Sequence, residues 1–186
     1  MRLNDPLVTS FLYEGEEYAI DLTFDNVLDI FDVLDDKDLR DYEKAEINLE
    51  LLLTNHFQGE EAVNLWNFIY EEFIHIESKQ IIEYDRKGNP LPVQKEQKQS
   101  IDFDKDGEFL YASFMQAYQI DLFKLQGSLH WSQFKSLLNG LPSNTIMQRI
   151  IQIRLWEPSK DDSSEYKQSM KELQEVYALE DVEEVE

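Results

Sequence analysis

The chain has 186 residues and carries 39 Asp+Glu against 17 Lys+Arg, a formal charge of −22. That length suits one domain, or one domain with an appendage, and a 42% hydrophobic, 12% aromatic composition is too rich for a disordered chain. The absence of cysteine excludes disulfides, thiolate metal sites and cysteine nucleophiles, and three histidines with six glycines leave little material for metal or phosphate chemistry.

The N-terminus reads as a β-hairpin. Val8, Phe11 and Tyr13 lie near a Glu14-Gly15-Glu16 turn, and Tyr18, Ile20 and Leu22 then alternate with Glu17, Ala19 and Asp21, a period of two with one apolar face. Thr23 is placed to cap a first helix whose stripe is Val27, Leu28, Phe31 and Leu34. A second helix runs through Tyr42, Ala45, Leu49, Leu52 and Leu53. A third is expected from Glu60 to Ser78, with Ala62, Leu65, Ile69, Phe73 and Ile76 at steps of three and four.

The stretch from Ile81 to Gln99 changes character. Gly88, Pro90 and Pro92 forbid regular helix, and Arg86, Lys87, Lys95 and Lys98 make it locally basic. A second helical block begins near Asp106 and its first helix ends near Tyr118 or Gln119. Ser128 is expected to cap the next helix, which carries Leu129, Trp131, Phe134, Leu137 and Leu138. Gly140 and Pro142 end it. Ser143 or Asn144 is expected to cap a helix with Ile146, Met147, Ile150, Ile151 and Ile153, and Pro158 closes that unit. Asp162-Ser163-Ser164-Glu165 has capping-box spacing ahead of a last stripe of Tyr166, Met170, Leu173, Val176 and Tyr177. The expected fold is α+β and predominantly α, a bundle-like helical body with a small N-terminal antiparallel hairpin. Its expected divisions are 1–80 for the hairpin and first helices, 81–101 for a linker, 102–158 for the second helical block, and 159–186 for the amphipathic helix and acidic tail.

Candidate chemistry is sparse. Asp102 to Glu108 looks like the first half of a calcium loop, but Ser113 stands where a bidentate Glu belongs, and acids at a helix start are favoured by its dipole. Glu72 and His75 form one Glu-x-x-His pair, where a di-iron site needs two such pairs and two further glutamates. There is no nucleophile elbow, no phosphate-binding glycine loop and no His-Glu-x-x-His. Neither a cofactor nor a metal nor an enzymatic activity is expected. No apolar run nears the roughly 18 residues of a membrane span, and Met1 to Ser10 does not read as a signal peptide, so a soluble protein of a reducing cytoplasm is expected. The charge disfavours nucleic acid and anionic membranes as partners. It suits a basic partner, a role in keeping hydrophobic material soluble, mimicry of DNA, or plain solubility.

From Ile101 onward the chain resembles a known family. The residues that carry the likeness are Asp102-Phe103-Asp104 with Leu110 to Phe114, Tyr118 to Leu122, Leu129 to Pro142, and Ile150 to Arg154. They are similar to the gene-product-fifteen family of siphophages and prophages of Gram-positive bacteria. The N-terminal hairpin and Phe24 to Leu28 extend the likeness. Two positions depart: Gln119 stands where a glycine is expected, and Ser132 where a second aromatic often follows Trp131. The family's gene lies between those of the tail tube and the tape measure. The resemblance therefore implies tail assembly, with the tape-measure protein and the tail-tube protein as partners. Its implied activity is chaperoning, in which the protein coats the tape measure until tube subunits displace it. It further implies action in the host cytoplasm during assembly and absence from the finished virion. Alternatives are a structural component kept in the particle and an acidic decoy of a basic host protein.

Partner-binding candidates are Trp131 and Phe134, three apart on one helix, Arg154 near a helix end, and the Tyr166, Met170 and Leu173 stripe, which would lie in a partner's groove or on a second copy of the chain. The competing reading makes Trp131, Phe134, Leu138 and Ile150 a shared core, pairs Arg154 internally, and packs the last stripe on its own domain.

Overall fold

The computed structural model describes residues 3–75 and 100–179. Residues 81–99 of the expected 81–101 linker, the 76–78 end of the third helix and the acidic tail from Glu180 lie outside them. Among the described residues are one two-stranded antiparallel sheet and seven α-helices, the predominantly helical α+β fold expected. The chain divides into two units, one from the described residues of 1–77 with 122–139, the other from those of 78–121 with 140–179.

The first unit opens with β1 (Ser10–Tyr13) and β2 (Glu16–Ala19), paired with Phe11 opposite Tyr18 and Tyr13 opposite Glu16. The turn is therefore two residues long, and Glu14 and Gly15 have φ of 50° and 89°. Two left-handed residues match the right-handed twist of the flanking strands. Three helices follow: α1 (Phe24–Asp35), α2 (Asp41–Leu52) and α3 (Gly59–Ile69), with α2 packed on both neighbours. Val27, Ile30, Ala45, Leu49, Ala62, Leu65 and Ile69 are buried. The start of α2 is held by Glu43, whose carboxylate accepts from the Arg40 backbone N–H at 2.9 Å and from its guanidinium at 2.9 and 3.0 Å. Those bonds bring the Glu43 pKa down to about 2.

Two boundaries differ from the expectation, and long-range partners explain both. The third helix leaves α-geometry after Ile69 and continues as a π-turn, Tyr70–Ile74, closed by a bond from the His75 N–H to the Tyr70 carbonyl. The wider turn carries Ile74 into the core and Phe73 toward Phe11. The helix expected to be capped by Ser128 starts at Trp131 instead, as α5 (Trp131–Asn139). Leu129 and His130 are taken by backbone pairing with the start of α1. Phe24 N–H donates to the Leu129 carbonyl at 2.9 Å and Trp131 N–H to the Leu22 carbonyl at 2.7 Å. Ser128 donates back to the Leu125 carbonyl in the preceding 3₁₀ turn, Leu122–Leu125. Residues 122–139 thus group with the N-terminal unit, which corrects the continuous 102–158 block expected from the sequence.

The second unit holds α4 (Gly107–Tyr118), α6 (Ile146–Arg154) and α7 (Ser164–Val176), with α6 packed on α4 and on α7. Gln119 ends α4 in the left-handed region at φ 57°, the conformation that makes a glycine expected there. The N-cap of α6 is Thr145 rather than Ser143 or Asn144, and Thr145 is itself buried. Met147 N–H donates to the buried Ser113 hydroxyl at 3.1 Å, one of the first-turn donors of α6 satisfied from α4. Ser163, not Asp162, caps α7 by accepting from Tyr166 N–H, while Asp162 accepts from Ser159 N–H.

Candidate partner-binding surface

The six residues singled out by sequence fall into three environments. Trp131 and Phe134 are fully buried in the first unit. The Trp131 indole N–H donates to the Ile74 carbonyl at 3.0 Å, at the end of the π-turn, so the irregular turn supplies the acceptor a buried indole needs. The Trp131 and Phe134 rings stack at 5.5 Å, Phe134 stacks on Phe24 at 5.0 Å, and Phe31 tilts against Trp131 at 5.7 Å. These two residues are core, which corrects their reading as a docking face: no part of either ring is left to meet a partner.

His130 is tied in beside them. Its Nε2 lies 3.0 Å from the Val8 carbonyl, which can only accept, so Nε2 carries the proton. Nδ1 then accepts from the Ser132 N–H at 3.1 Å and sits 2.9 Å from the Ser132 hydroxyl. The serine found where an aromatic is expected fixes this imidazole.

Arg154 is also interior. Its guanidinium grips Asp106 with two parallel bonds of 2.6 and 2.7 Å, and the two side chains are 9% and 1% exposed. Two of the three remaining donors go to the Ser100 carbonyl at 2.9 Å and the Tyr177 carbonyl at 2.7 Å. Asp106 stands before the first turn of α4 and Arg154 in the last turn of α6, so each charge sits at the helix end whose dipole favours it. Asp106 also accepts from Asp102 N–H, and Asp102 accepts from the N–H groups of Asp104 and Lys105. The acidic run that looks like a calcium loop is therefore a helix start wound around a buried ion pair. Among the described residues no group of three or more His, Cys, Asp or Glu is placed to hold a metal ion. Arg154 as a partner contact is corrected by its four internal bonds.

Tyr166, Met170 and Leu173 stand differently, because no residue of α7 is buried. The helix is fastened chiefly by polar bonds and ring edges. The Gln174 amide donates to the Ile153 and Trp156 carbonyls at 2.9 and 2.8 Å, closing the open C-terminal end of α6. Tyr177 meets Phe109 edge-on, Tyr166 meets Trp156 edge-on, and Lys105 donates to the Leu179 carbonyl. Gln174 and Tyr177 mark the inner side. One flank of the stripe faces water: Tyr166 is 48% exposed, Leu173 38% and Val176 73%, with Met170 half-buried between them. Just past α6, Leu155 is 49% exposed and Trp156 half-buried. The sequence signal for Leu155 and Trp156 is a pair of large apolar residues lying beyond the helix but before Pro158, where no stripe claims them. This is an apolar surface on a strongly acidic chain. No helix among the described residues is long and apolar enough to cross a membrane.

The chain belongs to the Bacteriophage Gp15 protein family, whose profile matches residues 3–179. No curated protein matches it, and no solved structure does.

Proposed function

We propose that this phage protein is a non-enzymatic tail-assembly factor, a chaperone of Gram-positive siphophages that coats the tape-measure protein until tail-tube subunits displace it. Membership of the phage family over residues 3–179 carries the reading. The exposed flank of α7 supports it, because Tyr166, Leu173 and Val176 offer apolar area without a catalytic constellation. A coat that must be shed needs many modest contacts rather than one tight one, and repeated copies along a long chain supply that through avidity. The charge of −22 keeps such a complex dispersed and away from packaged DNA. The work takes place in the host cytoplasm, and the chaperone leaves before the particle is finished.

Co-expression with the tape-measure protein of the same phage tests this. The expected result is a larger soluble fraction of that partner and co-purification of the two chains. An unchanged soluble fraction with no co-purification contradicts it. Recovery of the protein in stoichiometric amounts from purified virions would instead assign it to the particle.

A further inference from the structure

The first unit carries a second apolar surface, distinct from the core around Trp131. Six aromatic rings meet on one face of the hairpin. Phe11 lies 5.7 Å from Tyr18, 5.9 Å from Phe68 and 5.5 Å from Phe73. Tyr13 lies 5.3 Å from Phe68, and Tyr18 meets Phe57 at 5.6 Å. These contacts do not shut out water. Only Phe11 is buried; Tyr13, Tyr18, Phe57 and Phe73 are half-buried, and Phe68 is 36% exposed. Scattered exposed rings are ordinary on a protein surface, whereas a contiguous group is a recognition feature.

The rim is acidic, with Lys135 reaching the His75 carbonyl at the end of the π-turn. The segments that build this face, 3–36 and 45–75, contain no Lys or Arg. Glu14 and Glu16 lie on the hairpin, Glu60 and Glu61 begin α3, and Glu71 and Glu72 precede Phe73 on the π-turn. The Tyr18 hydroxyl donates to Glu16 at 3.0 Å. That bond, partial desolvation of the phenol, and the charges of Glu16, Glu61 and Glu14 raise the Tyr18 pKa. The face is built of side chains rather than of a strand edge, so it reads a partner's side-chain stripe instead of adding a strand.

We propose that this face is a docking site for an amphipathic helical segment of a partner chain, with aliphatic anchors that enter between the rings and Lys or Arg along its flanks. The anchors recover the hydrophobic free energy of the wet rings. The flanking cations meet the glutamates and the ring faces, and arginine does both best. This face belongs to the first unit, whereas α7 belongs to the second.

The full-length protein and a fluorescein-labelled designed helix of leucine and lysine test it by anisotropy, beside the same helix with glutamate for lysine. Phe68→Ser and Leu173→Ser leave the net charge unchanged, so general attraction to an acidic protein is equal in both. Wild type and Leu173→Ser are expected to bind the leucine-lysine helix alike, Phe68→Ser about tenfold more weakly, as for one lost aromatic anchor. The double variant Glu14→Gln, Glu61→Gln keeps every ring and is expected to weaken binding several-fold. The glutamate helix is expected to bind at least about tenfold more weakly than the lysine one. Undiminished binding by Phe68→Ser or by the double variant, loss of binding in Leu173→Ser, equal binding of the two helices, or no binding to wild type overturns the proposal.

Discussion

Helices α5 and α7 look alike as patterns and end in opposite environments. Each sets large apolar residues at steps of three and four: Trp131, Phe134 and Leu138 on one, Tyr166, Met170 and Leu173 on the other. The α5 residues are buried to the last atom or nearly so, and α7 has no buried residue. The difference comes from distant chain. α5 receives Phe24 and Phe31 from α1 and a carbonyl from the π-turn at Ile74. α7 receives the end of α6, two ring edges and a few hydrogen bonds. Periodicity announces that a helix has an apolar face, and only long-range partners decide whether that face is covered.

The largest expected effects probe what holds each region. Trp131→Ala should cost about 3–5 kcal/mol, since it opens a cavity and strands the Ile74 carbonyl. Asp106→Ala should cost a similar amount, about 3–5 kcal/mol, by leaving the Arg154 guanidinium buried without its carboxylate. Denaturant titration measures both. A loss under about 1 kcal/mol for Trp131→Ala would place α5 with α7 as a peripheral helix and erase the contrast.

Two substitutions are expected to stabilise. Asn48 on α2 is fully buried, and among the described residues neither its amide nitrogen nor its oxygen has a hydrogen-bond partner. Asn48→Leu keeps the branched shape and heavy-atom count and removes the orphaned polar atoms, so stability should rise by about 1–3 kcal/mol if the core admits the larger methyl groups. A loss instead would show that an internal water satisfies the amide or that the methyl groups do not fit. In the second unit, Gln119→Gly relieves a left-handed side chain and should add up to about 1 kcal/mol, read as a higher thermal midpoint.

The legible and illegible features divide along the same line. The hairpin and its Gly15 turn, the helical spans of α1, α2 and α4, and the apolar run of α6 are local, and spacing reveals them, but the buried face of α1 is Phe24, Val27 and Ile30, of which the expected stripe holds only Val27. The start of α5 is hidden because Leu129 and His130 pair with backbone more than a hundred residues earlier. The π-turn is hidden because 70–74 continues a helical pattern and departs from it only to serve Trp131. Of the candidate surface, Tyr166, Met170 and Leu173 were visible as a stripe. The sequence leaves Arg154 open between an internal pair and a partner contact, because nothing local shows that Asp106, 48 residues away, meets it. The aromatic face of the hairpin escaped notice because its rings come from two strands, a loop and two helical turns.

The central claim is that the wet flank of α7 grips a partner. The double variant Leu173→Ser, Val176→Ser is expected to change folding stability by no more than about 1 kcal/mol, because neither side chain is buried. Co-purification of this variant with the tape-measure protein tests the claim most directly. The account predicts a folded protein that no longer retains that partner, and retention at the wild-type level by the folded variant would contradict it.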